Sequence, residues 1–452
     1  MLCASRWEIN ACLRPRRPRV RMPSSNCLQE CPVPARRPSP SSFEIRGPEK
    51  RRDILALADL YGKAFGRYQP LYDSFLDKHF HQMPREQWRL ARALWAPDGS
   101  PVAMVRVCDR TMRLGAALVR VAGIGDVCTL PTLRKRGLLR TLFTHVNQFM
   151  HEEGYDLSLL FGIPNFYDKF GFVVGAWNAW VQLPRAQAAR LSAPYRGRRA
   201  RRADIAAMRR LHADDLAIRD GAMERWGKAW LRRACRDKWC RVIEDARGGP
   251  LAYWRGEPRP DDAFALTEAS LGRRPTRDAV VSVLADMAKV ARACEKPKLR
   301  IELPAAHPMG RFCVADGCEV HRVIGHRGGS MVRITHLESL CQHMAPEWER
   351  LLAASPAAGW SGRLRFKTDM GAVELAIAKG KVSIVGGASV PRESPPAAIA
   401  APQDKLCRLI LGFHTPAEAA FLGDVRITPA ARPLADALFP ARSLVFFPYD
   451  RF

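Results

Sequence analysis

Residues 121–143, Val-Ala-Gly-Ile-Gly-Asp-Val-Cys-Thr-Leu-Pro-Thr-Leu-Arg-Lys-Arg-Gly-Leu-Leu-Arg-Thr-Leu-Phe, read as a strand that enters a short basic loop and leaves as a helix. The first N–H groups of a helix lack internal partners and sit at the positive end of its dipole. Such a junction favours an anion, above all a diphosphate. Gly137 lets the backbone approach a ligand closely, and Arg134, Lys135, Arg136 and Arg140 add positive charge. A solvated helix start would share these features. Further on, Leu-Leu-Phe-Gly-Ile-Pro-Asn-Phe-Tyr-Asp-Lys-Phe-Gly-Phe-Val (159–173) sets one phenol, Tyr167, among aromatic neighbours.

Elements around these segments follow from periodicity. Residues 53–65 carry apolar side chains at helical spacing. A polar helix-and-loop region runs to about Leu94, then Asp98-Gly99 and Pro101 mark a turn before a strand at Val102–Val107. Strands are expected at Ala117–Val121, Ile124–Leu130 and Leu157–Gly162, and a helix at Arg136–Met150. Two echoes lie about 150 residues apart, the scale of one domain. Asp204-Ile-Ala-Ala-Met-Arg-Arg-Leu211 repeats Asp53-Ile-Leu-Ala-Leu-Ala-Asp-Leu60, and Asp316-Gly-Cys-Glu-Val320 repeats Lys169-Phe-Gly-Phe-Val173. The basic stretch 195–202 reads as a solvated linker between the two copies. A third unit begins near Ile334, with a helix at Leu337–Leu352, strands at Gly362–Lys367, Ala372–Ala378 and Lys381–Val385, and helical segments to Leu438. The aromatic end, Leu444 to Phe452, is expected to dock against protein.

The loop and the phenol together resemble the GNAT acetyltransferase superfamily. Arg134-Lys-Arg-Gly137-Leu-Leu139 is similar to its Arg/Gln-x-x-Gly-x-Gly/Ala pyrophosphate loop, departing at Leu139, where the family has a small residue. Tyr167-Asp-Lys-Phe-Gly171-Phe172 is similar to its Tyr-x-x-x-Gly-Phe motif. Pro131-x-x-Arg-Lys-Arg-Gly-Leu-Leu-Arg140 more closely resembles the enhanced intracellular survival (Eis) branch. That resemblance implies an α+β chain of two tandem GNAT-like α/β domains, the second degenerate, followed by a sterol carrier protein-like α/β domain. The expected boundaries are a disordered Arg/Pro-rich tail at 1–42, a catalytic domain at 43–185, a degenerate copy at 186–334 and a sterol carrier protein-like domain with a docked C-terminus at 335–452.

The resemblance further implies acetyl-CoA as co-substrate. Val127, Cys128 and Thr129 would hold the pantetheine arm and acetyl carbonyl, and Lys135, Arg136, Gly137, Leu138, Leu139 and Arg140 the pyrophosphate. Tyr167 would protonate the leaving thiolate, and the α-carboxylate of Phe452 would deprotonate a primary amine that is aminoglycoside-, polyamine- or lysine-like. Asp126 is the competing base and Cys128 the competing nucleophile, although no His pairs with it. Direct attack within a ternary complex is the expected route. Asp73, Asp77 and Asp450 are candidate partners for a cationic amine. A homo-oligomer, by resemblance a hexamer, is also implied. The competing class is a lipid or acyl-chain binding protein with a non-catalytic GNAT domain.

Composition bounds these readings. The chain has 452 residues, 47% hydrophobic and 26% charged, which excludes a wholly disordered, collagen-like or coiled-coil protein. No apolar run reaches the roughly 18–20 residues of a membrane span, so no membrane partner is expected. Lys+Arg number 72 against Asp+Glu 45, a net charge of +27. That excess suits an anionic partner or reflects coding bias. No nucleic-acid recognition pattern accompanies the basic clusters at 14–21 and 196–202, and no nucleic-acid partner is expected. The 13 cysteines are odd in number and irregularly spaced, neither a disulfide framework nor a zinc pattern. Reduced thiols, no metal and a cytoplasmic location are the expectation.

Overall fold

Alternating apolar residues build three sheets in the structure, a computed structural model. It describes residues 43–447 other than 67, 77–84, 225–236, 325–327 and 387–394, together with Asp450. The first sheet holds β1 (Glu44–Arg46), β2 (Ala91–Trp95), β3 (Pro101–Leu114), β4 (Ala117–Thr129), β5 (Leu157–Gly162) and β6 (Val173–Val174). Its remaining strand, Gly329–Ile334, arrives from far down the chain and lies between β5 and β6. The second sheet holds β7 (Asn178–Pro184), β8 (Arg196–Arg199), β9 (Cys240–Glu244), β10 (Pro250–Pro258), β11 (Ala263–Ser270), β12 (Lys298–Ile301) and β13 (Glu319–Val323).

With Gly329–Ile334 named β14, the first sheet runs β1-β2-β3-β4-β5-β14-β6, and the second runs β8-β9-β10-β11-β12-β7-β13. The two orders correspond position by position, and the strand senses correspond as well. Only β4/β5 and β11/β12 pair in parallel; the other neighbours in these two sheets are antiparallel. The repeat is therefore legible in the backbone. It carries an exchange: β7 fills the sixth place of the second sheet, and β14 fills the sixth place of the first. Residues 178–184, before the expected boundary at 186, thus belong to the second sheet, and residues 329–334, before the one at 335, to the first.

A third sheet, β17-β16-β15-β18-β19, is made by β15 (Gly362–Thr368), β16 (Gly371–Ala378), β17 (Lys381–Gly386), β18 (Ala397–Ala400) and β19 (Arg426–Ile427). Lys379 and Gly380 join β16 to β17 with φ of 52 and 73°, the positive pair that matches a two-residue hairpin to strand twist. The whole is a mixed α/β architecture of three mixed sheets.

The helices among the described residues are α1 (Arg51–Phe65), α2 (Tyr68–Leu76), α3 (Leu138–Glu152), α4 (Arg185–Ala189), α5 (Ile205–Leu216), α6 (Arg277–Ala293), α7 (Pro308–Ala315), α8 (Leu337–Ala353), α9 (Gln403–Ile410), α10 (Pro416–Phe421) and α11 (Arg432–Leu438). Ile54, Leu57 and Leu60 of α1 meet Met104 and Cys128 on one face of the first sheet. Leu142, Phe143 and Val146 of α3 meet Val105, Val107 and Ile124 on the other. In the third unit Trp348 of α8 meets Phe366 of β15 and Phe439 edge to face at 5.9 and 6.3 Å, and those two rings lie tilted at 6.0 Å. No described helix is long and apolar enough to cross a membrane.

Three local expectations are corrected. Ala117–Thr129 is one strand, because Gly123 and Gly125 sit inside the β3/β4 ladder rather than ending it. The helix expected from Arg136 begins at Leu138, because Lys135 and Gly137 take left-handed φ of 63 and 79°. Part of the expected basic linker at 195–202 is the edge strand β8: Arg198 reaches Asp204 at 2.7 Å and Glu244 at 2.5 Å, so ion pairs offset its charge.

The tail is buried through Leu444, Val445 and Phe447, the last only 1% exposed. Arg219 stacks on the Phe447 ring at 4.1 Å and donates to the Val445 carbonyl at 3.1 Å.

Candidate active site

The register of β4 decides what the first sheet can bind. It pairs in parallel with β5 only from Val121↔Leu157 to Ile124↔Leu160. Against β3, Met104 faces Cys128 while Arg106 faces Gly125, so Asp126 and Val127 together oppose a single residue. This is a β-bulge, and Asp126 takes a left-handed φ of 48° within it. Past the bulge β4 stays with β3 up to Thr129, whereas β5 stays with β14 up to Gly162. The two strands part and leave a wedge whose backbone edges face one another.

Val127, Cys128 and Thr129 form one side of that wedge. Cys128 is 5% exposed; burial, then the neighbouring Asp126 charge, raises its thiol pKa well above the ordinary range. A thiol held neutral is a poor nucleophile. Asp126 is committed elsewhere: Arg106 Nε reaches its Oδ2 at 2.5 Å, with 10% and 4% of the two side chains exposed, and the Tyr61 hydroxyl bonds it too. An aspartate locked to a buried guanidinium is badly placed to take a proton from an amine. Sequence reasoning missed this pair. Its signal was one charged residue inside each of two adjacent apolar strands.

At the wedge mouth the chain turns through 131–137 into α3. Gly137 is the N-cap and accepts from Arg140 N at 2.9 Å and Thr141 N at 3.1 Å. No side chain caps this helix. The N–H groups of Gly137, Leu138 and Leu139 have no acceptor among the described residues. Three consecutive donors with exposed Lys135, Arg136 and Arg140 around them make a cradle for a diphosphate. Arg134 points away from it and braces the loop, donating to Ala64 O at 2.5 Å and Thr129 O at 3.3 Å. Leu139, the departure from the motif, packs partly buried against the same core as Val127, Leu133 and Tyr167.

Tyr167 opens a short 3-10 turn, Tyr167–Phe170, closed by Gly171 at φ 81°. Its ring meets Phe166, Phe143 and Phe172 edge-on at 4.9, 6.0 and 6.3 Å. It also presses on the end of β5, because a Cβ added to Gly162 would lie 2.7 Å from Tyr167 Cδ2. The phenol therefore sits where β5 leaves β4. Burial alone pushes its pKa up to about 12.

Fold and packing thus bring Val127, Cys128, Thr129, residues 135–140 and Tyr167 around one wedge. Phe452 and Asp77 lie outside the described residues. Asp73 accepts from Gln69 at 3.0 Å on the surface, and Asp450 turns the tail by accepting from Phe447 N at 3.1 Å. Phe446 meets Phe161 of β5 at 6.0 Å, which brings the tail to that strand. Among the described residues no cluster of three or more His, Cys, Asp or Glu could hold a metal ion. A cavity of about 720 Å³ opens elsewhere, behind the Tyr167 turn, between Phe172, Met331, Gln403 and Arg408.

Residues 48–175 match the family model of an acetyltransferase (GNAT) domain. No curated protein matches the sequence. Among solved structures, a probable N-acyltransferase of unknown function from Enterococcus faecalis is similar over 89% of this chain and 100% of its own, at 15% identity and a TM-score of 0.70. A GCN5-related N-acetyltransferase from Anabaena variabilis covers 89% and 98%, at 15% identity and a TM-score of 0.68. Eis1 from Mycobacterium abscessus covers 90% and 99%, at 16% identity and a TM-score of 0.61.

Proposed function

We propose, from the premise that residues 48–175 form a GNAT acetyltransferase domain, that the chain is an acetyl-CoA-dependent N-acetyltransferase of the Eis-like kind. It moves the acetyl group to a primary amine, aminoglycoside-, polyamine- or lysine-like, by direct attack in a ternary complex. The observation that carries this reading is that the β4/β5 wedge is flanked by free N–H donors at the start of α3 and by a half-buried phenol packed against the same core. The second half is read as a degenerate GNAT-like copy and the third sheet as a sterol carrier protein-like module. A homo-oligomer belongs to the same reading.

In this mechanism the loop from Lys135 to Arg140 holds the diphosphate, and the backbone of Val127 to Thr129 orients the thioester carbonyl along the wedge. Holding amine and thioester together removes much of the entropic barrier. The Phe452 carboxylate takes the proton from the attacking amine. Tyr167 acts at the sulfur. With its pKa near 12 the phenol is fully protonated at neutral pH. It is a weaker acid than a thiol of about 8.5, so it acts chiefly by donating a hydrogen bond as charge develops on sulfur; a proton it passes to the leaving thiolate as the C–S bond breaks is restored by the one the amine gives up.

Thiol release from acetyl-CoA across aminoglycosides, polyamines and lysine peptides tests the reading. Turnover with at least one amine is expected; acetyl-CoA binding without release for any amine refutes it. Deleting Phe452 should cut turnover far more than acetyl-CoA affinity, and unchanged turnover removes the base assignment. The lipid-binding alternative finds less support. Trp348, Phe366 and Phe439 are buried side by side in the third unit, where an acyl chain would need room.

A further inference from the structure

The turn that carries Tyr167 is held from behind by the third unit and by β14. Arg333 of β14 donates to Phe170 O at 2.6 Å, and Gln403 at the start of α9 donates to Gly171 O at 2.7 Å. Arg408, one turn further along α9, donates to Val174 O at 3.0 Å. Three side chains therefore secure the exit of the turn within five residues of backbone. Gln403 is itself fixed at both ends: its Oε1 accepts from Ile334 N at 3.0 Å, and its own N donates to Asp369 Oδ1 at 2.6 Å. It is 7% exposed. The cavity of about 720 Å³ lies against this face of the turn and is lined by Gly171 and Gln403 among others. On that side the turn is held by directional bonds rather than by continuous packing. The left-handed Gly171 leaves room for the clamp, since a Cβ there would lie 2.8 Å from Arg333 Nη1 and 3.4 Å from Gln403 Nε2.

We infer that Gln403 is a positioning residue for Tyr167, through which the third unit sets the placement of the acid in the first. The inference rests on the acetyltransferase reading for its kinetic consequence but not for its structural one. A small displacement of a catalytic group lowers turnover without weakening cofactor binding held elsewhere. A looser turn also admits water to the phenol, so its titration falls from about 12 toward the ordinary value near 10.

The test uses the full chain carrying Gln403→Glu, which keeps size and the acceptor to Ile334 but loses the donor to Gly171. Gln403→Met removes both bonds at similar volume, and melting temperatures accompany each variant. Turnover should fall roughly tenfold in Gln403→Glu with KM for acetyl-CoA within about twofold. Adding either change to Tyr167→Phe should cost almost nothing further, because both act through the same phenol. A second readout needs no activity. With 3-fluorotyrosine incorporated, the 19F resonance that disappears in Tyr167→Phe should shift and titrate lower in both Gln403 variants. Should no amine be acetylated while that resonance still moves, the acetyltransferase reading fails and the positioning contact stands. An unmoved resonance with wild-type turnover in folded Gln403→Glu overturns the inference, as does an equal additional loss in the Tyr167→Phe background.

Discussion

The two seven-stranded sheets repeat one strand order, yet the same strand–loop–helix–strand unit ends differently in each. In the first, β4 leads through a basic loop to α3, where the N–H groups of Gly137, Leu138 and Leu139 stay free. In the second, β11 leads through Leu-Gly-Arg-Arg-Pro-Thr to α6, and Thr276 Oγ1 accepts from Ala279 N at 3.2 Å. Pro275 brings no N–H at all. β11 also bulges just past its parallel pairs, between Leu266 and Glu268, but all eight of its residues are buried. Val445 and Phe447 of the tail join its core. Two arginines in a loop are therefore not enough to make an anion cradle. The backbone must also remain unsatisfied, and the wedge must remain unfilled.

This division of labour can be broken by substitution. Tyr167→Phe should give the largest effect, a loss of turnover of about a hundredfold or more, read by thiol release with little change in melting temperature. Its phenol stays protonated to about 12, so wild-type turnover should show no falling limb from this group below pH 10. Gly137→Ala should come next. A Cβ there meets nothing within 4 Å, but φ of 79° disfavours it by about 1–2 kcal/mol. Relaxation of the cap would move the amides, and KM for acetyl-CoA should rise roughly tenfold. Thr276→Ala should do the opposite, lowering unfolding free energy by about 1 kcal/mol with KM unchanged. If Thr276→Ala altered KM as much as Gly137→Ala, the contrast between the halves would be wrong.

A last effect, on stability alone, concerns pH. His307 caps α7 by accepting from Met309 N at 3.3 Å, and burial, then Arg219, lowers its pKa to about 3. A folded value depressed below the unfolded one of about 6.5 leaves its contribution intact above 6.5 and removes it as pH falls, by at most about 1.4 kcal/mol per unit. Melting temperature should decline from pH 6.5 to 4, and His307→Asn, which retains a cap, should flatten part of that slope.

Much of the scaffold was written locally. Helical spacing marked α1 and α8, and Lys379-Gly380 marked the β16/β17 hairpin, because each depends on neighbours in sequence. The basic loop before α3 and Tyr167 were legible for the same reason. The bulge at Asp126 was hidden, since glycines on its N-terminal side look like a strand break. β8 was hidden because the carboxylates that pair Arg198 lie beyond it, at Asp204 and Glu244. Arg333 and Gln403 carry no local mark at all, as their partners at Phe170 and Gly171 are more than a hundred residues away.

The exchange of β7 and β14 bears on how the chain is made. Gly329 pairs with Gly162, and Asn178 with Val323, so the second sheet is not complete until the ribosome has delivered Val323, nor the first until Ile334. The wedge and its phenol wait, half built, while the second sheet is synthesised, and such long-range closure slows folding. For the same reason, cutting the chain at 185/186 would not release two finished halves. Each fragment would carry the strand that completes the other, and mixing the two should restore what neither achieves alone.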